Sequence, residues 1–144
     1  MIQRIQSIWL LVSAICFGVQ SLGSLRFART QSTLSPPLED MILSHSESSV
    51  MMAGSLGSAI LALVAIFLFK NRTSQILVAG LAGLIQVLLS IGFGFYILNK
   101  AGGFGQFSPD FAIYLGLIGL TTNWLATRAI RKDSELVKSM DRLR

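Results

Sequence analysis

Gln75–Leu98 reads QILVAGLAGLIQVLLSIGFGFYIL, a stretch without a single charge. A helix that crosses a bilayer needs about 20 mostly apolar residues, and this stretch is long enough. In lipid the backbone must satisfy its own polar groups, which only helices and closed barrels do. Barrel strands are shorter and alternate apolar with polar side chains, and this stretch does neither. At about 100° per residue, Ala79, Ala82, Gly83, Gln86, Ser90 and Gly94 fall in one arc, with Leu77, Leu81, Leu84, Leu88 and Phe95 opposite. Lipid gives helices no hydrophobic reason to associate, so small side chains must let backbones approach while bulky ones face the acyl chains. The stretch reads as one member of a membrane helix bundle.

Three other stretches satisfy the same length rule: IQSIWLLVSAICFGVQSLGSL from Ile5, VMMAGSLGSAILALVAIFLF from Val50, and FAIYLGLIGLTTNWLATRA from Phe111. Each has its own small or polar face. The first gathers Gln6, Ser13, Gln20 and Ser24; the second Gly54, Gly57, Ser58, Ala62 and Ala65; the last Ala112, Gly116, Gly119, Asn123 and Thr127. The expectation is therefore all-α: a four-transmembrane-helix bundle in one domain, with spans at about 5–25, 50–69, 75–98 and 111–129. An outer loop at 26–49 and an amphipathic cytoplasmic tail at 130–144 complete it. The composition agrees, with 52% apolar and 13% charged residues against about 25% charged in soluble domains. The first stretch is longer than a signal-peptide core and no small-x-small site follows it, so it reads as a retained helix. The single cysteine, Cys16, allows no intramolecular disulfide and reads as a buried small hydrophobe.

Orientation follows from the basic residues. Nine of the twelve, Arg4, Lys70, Arg72, Arg128, Arg131, Lys132, Lys138, Arg142 and Arg144, fall on one side of this topology. Arg26, Arg29 and Lys100 fall on the other. By the positive-inside rule both termini face the cytoplasm of a bacterial inner membrane. The NRT sequon at Asn71 lies in a short turn on that side and reads as chance.

Chemical motifs are sparse. His45, the one histidine, lies among serines in the outer loop and reads as a solvated side chain. GGFGQF at Gly102–Phe107 lacks the Lys-Ser/Thr ending of a phosphate loop. Paired carboxylates and His clusters, which a membrane enzyme or a proton relay would need, do not occur in the spans. The reading is not an enzyme, with no catalytic residues, no metal ligands and no cofactor. Nucleic acid is not an expected partner, because orientation accounts for the positive charge. Gln20, Gln86 and Asn123 are the candidate intramembrane polar residues. Neighbours among them differ in depth by roughly 5–8 Å at 1.5 Å per residue, which predicts a ladder and not one cluster.

The tail carries a pattern of its own. As a helix, Ile130, Leu136, Val137, Met140 and Leu143 share one arc, and Arg131, Lys132, Glu135, Lys138 and Arg142 lie on the other. Six basic and three acidic residues from Arg128 onward suit anionic lipid. Glu135, Lys138 and Asp141 stand at pairing distance along a helix. Arg4, Arg131, Lys132, Leu136, Val137, Met140, Arg142, Leu143 and Arg144 form the candidate interaction surface.

The two ends, MIQRIQSIWLL and RAIRKDSELVKSMDRLR, resemble a family of small four-helix membrane proteins of Bacteroidota known only as a domain of unknown function. The resemblance implies an inner-membrane location and carries over no activity. Its signature positions here, Gln3, Arg4, Gln6, Arg131, Lys132, Asp133, Asp141, Arg142 and Arg144, would share the cytoplasmic side and pair the N-terminus with the tail. Two functions fit these readings. One is an accessory or interaction subunit of a larger membrane complex; the other is a small transporter or channel using the polar ladder and the Thr121–Thr122 pair. The bilayer is the expected partner in both, and homo-oligomerisation is left open.

Overall fold

The protein is seen in a computed structural model that describes residues 2–22, 25–30, 42–100 and 107–141. Five α-helices make up most of it. They are α1 (Ile2–Gln20), α2 (Ser49–Phe67), α3 (Arg72–Ile85), α4 (Phe93–Lys100) and α5 (Phe111–Asp141). A 3₁₀ turn, Leu68–Lys70, follows α2, and a π-helical segment, Gln86–Gly92, joins α3 to α4 without a break. Three short strands, β1 (Arg26–Thr30), β2 (Ile42–Ser44) and β3 (Phe107–Pro109), form an antiparallel sheet in the order β2-β1-β3.

Three of the helices, α2, α3 and α5, start where a short polar side chain can accept from the exposed amides of the first turn. Ser48 accepts from the Met51 amide ahead of α2, and Asn71 from the Ser74 amide ahead of α3. The Asn71 side chain of the sequon is thus a helix cap. Asp110 accepts from the Phe111 amide at 2.8 Å where α5 begins. That bond, with Arg29 adding at 3.1 Å, holds the Asp110 carboxyl below its ordinary range.

The helices pack as an up-down-up-down ring. α1 lies against α2 and α5, and α3 lies against the same two, so α1 and α3 are diagonal. Small residues line the contacts, as the sequence pattern predicts: Ala62 and Ala65 of α2, Ala79 and Ala82 of α3, and Gly116 and Gly119 of α5 are buried. Leu77, Leu81, Leu84 and Leu88 face outward. The core is layered. At the tail end, Leu10, Ala65, Ala79, Ala126 and Ile130 cluster; Ala14, Ala62 and Ala82 form the next layer. At the sheet end, Phe27, Ala28, Leu43, Met51, Leu98 and Ile113 cluster under the strands.

The sheet corrects the all-α expectation. A bulge between Arg26 and Ala28 breaks the alternation of β1, so that Phe27 and Ala28 are both buried. The strands are three to five residues long, and the bulged β1 erases the period-two signal that would mark a strand in sequence. The first helix ends at Gln20, short of Leu25, and α5 runs unbroken from the expected last span into the tail.

Two helical stretches, Ser49–Lys70 and Arg72–Lys100, are long and apolar enough to cross a membrane, and Ile5–Gln20 is a shorter apolar helix. The π segment lies in the second. A glycine on α2 makes room for it: a Cβ on Gly54 would stand 2.7 Å from the Leu89 Cβ and 2.9 Å from the Leu89 carbonyl carbon. Gly57, expected on the same packing face, is only half-buried and borders open space.

Candidate functional site

The sequence places Gln20 at the last turn of α1 and Gln86 at the first residue of the π segment. Both are fully buried, and the structure joins them. Gln86 donates through Nε2 to Gln20 Oε1, and Gln20 donates through its own Nε2 to the Ala112 carbonyl at the start of α5. Gly116, one turn on, leaves the space this amide fills. Gln86 Nε2 also lies 3.1 Å from Ser90 Oγ, and Ser90 Oγ lies 2.8 Å from His45 Nε2. A polar chain therefore runs from α5 through α1 and the π segment to the turn after β2.

His45 overturns its sequence reading. It is fully buried, edge-on to the Phe27 ring at 5.4 Å, and burial lowers its pKa to about 4. The imidazole is neutral near pH 7. With Ser90 accepting from Gln86, the serine hydroxyl proton is available to Nε2, and Nδ1 then carries the ring proton. His45 Nδ1 and Gln86 Oε1 are both buried without a protein partner. A histidine preceded by apolar Leu43 and β-branched Ile42 carried a weak strand signal, but nothing local announced that it would reach Ser90.

Asn123 is not part of this chain. Its Nδ2 donates to the Ala79 carbonyl at 2.9 Å, and its Oδ1 is buried without a partner. The expected ladder thus divides: the reach of two glutamine side chains closes the step between Gln20 and Gln86, whereas Asn123 ties α5 to α3 nearer the tail end. Thr122 bonds within its own helix, to the Ile118 and Gly119 carbonyls, as Thr121 does to Ile118.

At the tail end the expected pairing takes a different form. Gln6 donates to the Ala129 carbonyl at 3.2 Å, which joins α1 to the base of the tail. Asp133 pairs with Arg72, the first residue of α3. The guanidinium stands 2.9 Å from Asp133 Oδ2, a charge contact out of line for a hydrogen bond, and donates to the Asp133 carbonyl, also at 2.9 Å. Past this clamp α5 continues to Asp141. Leu136 and Val137 are 46% and 38% exposed. A cleft of about 710 Å³ lies beside Val137, lined also by Lys70, Asn71, Arg72, Thr73, Ile76 and Ser134. Arg131 and Lys132 are exposed on α5. Arg142, Leu143 and Arg144, with the side chains of Arg4, Lys138, Met140 and Asp141, lie outside the described residues.

The geometry defines a mostly helical bundle with membrane-length apolar helices, an internal polar chain and a clamped terminal helix. Residues 2–143 match the family model described as a domain of unknown function, DUF4293, and the chain belongs to that family. No curated protein and no solved structure matches it.

Proposed function

We propose that the chain is a four-span protein of the bacterial inner membrane with both termini in the cytoplasm, acting as an accessory subunit of a larger membrane complex. One observation carries the proposal. The Arg72–Asp133 clamp fixes the end of α5 beside the turn that joins α2 to α3, and beyond it Leu136 and Val137 stand uncovered beside basic side chains. At 1.5 Å per residue α5 is about 46 Å long, against about 30 Å of hydrocarbon. Roughly the last third then stands clear of the bilayer, on the side where most Lys and Arg lie. A helix held at its base with apolar residues exposed is suited to helix-in-groove recognition.

Copurification in mild detergent tests this. The full chain should bring down a stoichiometric membrane partner, and a chain ending at Asp133 should insert normally and lose it. Retention of the same partner by the shortened chain would refute the role of the tail.

The transporter reading has one observation in its favour, the two unpartnered polar atoms of the Gln86–His45 chain. Two features weigh against it. Apolar layers around Ala62 and Leu10 separate that chain from the tail end, and it lacks a charged side chain of the kind ion coupling uses. Solute flux through proteoliposomes, abolished by Gln86→Leu, would reverse the preference.

A further inference from the structure

Along α5 two hollows meet at the same side chains, one between α3 and α5 and the other on α5 alone. One, of about 390 Å³, is lined by Gly80, Gly83, Leu84, Leu88, Leu120 and Asn123 among others, and reaches Trp124 and Thr127. The other, of about 560 Å³, starts from Trp124 and Thr127 and is lined by Arg128, Arg131, Lys132 and Glu135. Together they make one groove, apolar towards the middle of the bundle and basic towards the tail. Along α5, Leu120 to Lys132 covers about 18 Å.

Four features suit the groove to one kind of occupant. Gly80 has nothing within 4 Å of where its Cβ would stand, so the apolar half is open. Asn123, only 5% exposed, lines that half and has an unpartnered Oδ1. At the junction Trp124 is 59% exposed and the Arg128 guanidinium lies 5.5 Å from its ring centroid, which holds the charge at the end of the apolar channel. Among the described residues neither Arg131 nor Lys132 has a carboxylate partner, since Asp133 is turned to Arg72.

We infer that this groove binds one anionic phospholipid, an acyl chain lying over Gly80 and Gly83 and the headgroup phosphate held by Arg128, Arg131 and Lys132. A zwitterionic lipid would fill the same channel but would set its own cation against the three basic side chains. Basic pockets between helices at the cytoplasmic face recognise anionic headgroups in this way, and tryptophan at that depth marks the interface. A second copy of the chain would bring its own basic cluster to the same place, which the charge opposes. The site rests on the membrane reading above and is independent of any protein partner.

The test uses tryptophan quenching. The chain has two tryptophans, so Trp9→Phe leaves Trp124 as the only reporter. The full chain is reconstituted in phosphatidylcholine vesicles containing either brominated phosphatidylglycerol or brominated phosphatidylcholine at low mole fraction. Brominated phosphatidylglycerol should quench preferentially, with an apparent association constant at least fivefold higher. Arg131→Gln and Lys132→Gln should each lower that preference about fivefold, up to its full loss. Gly80→Leu, which meets no neighbour at its Cβ, should abolish tight quenching while leaving the unfolding temperature unchanged. Equal quenching by both lipids overturns the site alone. A preference untouched by Gly80→Leu shows surface attraction without a groove and overturns it too. A disulfide between Gly80→Cys copies in a Cys16→Ser background would show a second chain in the groove, against the inference. No quenching by either lipid would remove the membrane reading, and the site with it.

Discussion

Gln86 donates its side-chain amide to the side-chain oxygen of Gln20, so a hydrogen bond crosses the bundle between two helices that are diagonal in the ring. The main packing contacts join neighbours around the ring; this bond ties across it. Because Gln20 also holds the Ala112 carbonyl, α1, α5 and the π segment meet at one point.

The two glutamines should therefore be energetically coupled. Gln20→Leu and Gln86→Leu, alone and combined, unfolded in detergent micelles, should give a coupling of about 0.5–2 kcal/mol. Strict additivity would show that the bond contributes nothing beyond the packing of each side chain.

Two glycines one turn apart on α2 should respond in opposite ways. Gly54→Ala pushes a methyl into the backbone of the π segment and should cost about 1–3 kcal/mol. Gly57→Ala meets open space and should stay within about 0.5 kcal/mol, or gain slightly from helix propensity. Equal thermal shifts would mean that α2 does not approach Leu89 as described.

His45 makes stability depend on pH with a definite sign. Burial lowers its folded-state pKa from 6.5 to about 4, so between those values the unfolded chain binds the extra proton. The contribution is fully present above about pH 6.5 and is lost on acidification towards pH 4, amounting to at most about 3 kcal/mol. The chain has no other histidine. The unfolding temperature should fall between pH 7 and pH 5 in the parent protein, and His45→Gln should flatten that slope. An identical slope in both would place the titration elsewhere.

The Arg72–Asp133 clamp should set the order of the tail. Asp133→Asn keeps the shape of the side chain and removes its charge. Hydrogen exchange should then quicken in residues 134–141 and stay slow at Gly116–Asn123. Unchanged exchange in the tail would show that α5 holds itself straight without Arg72.

The topology is open to a direct check. In a Cys16→Ser background, cysteines at Ser35 and Thr73 should differ towards an impermeant thiol reagent added to spheroplasts: position 35 labels and position 73 does not. Labelling confined to position 73 would invert the arrangement.

What was legible in the sequence was what repeats along a helix. The arc of Ala79, Ala82, Gln86, Ser90 and Gly94 is buried because small and polar side chains at helical spacing can lie only against other helices in a bundle. His45 was not legible. Its surroundings come from Phe27 and Ser90, 18 and 45 residues away, and serines on either side of a histidine resemble a solvated loop. The sheet escaped for a related reason, since Phe27 and Ala28 face the core together across a bulge. At about 100° per residue Phe95 falls on the outward arc, yet it packs edge-on to Phe27 at 6.0 Å. The π segment lies between the helix that set that arc and Phe95, and its wider turns shift the count.

That shift gives the π segment a definite role. Beyond Ala82 the buried positions fall every fourth residue, at Gln86, Ser90, Gly94 and Leu98. In an uninterrupted α-helix three such steps drift by about 120°, which would swing Leu98 out of the core. The wide turns absorb the drift, acting as a phase corrector between a half that meshes with α2 and α5 and a half that carries the strands. Deleting one residue there, such as the outward-facing Leu88, would let the segment close into ordinary α turns and leave Leu98 only about 20° from the face of Gln86. Gly94 and Leu98 would keep facing Phe27 and Met51, whereas deleting a second residue would turn them away by about 100° and unseat the sheet while the tail end kept its packing. The molecule is in this sense two bundles kept in phase on one continuous shaft, and that phase is written in a single extra residue.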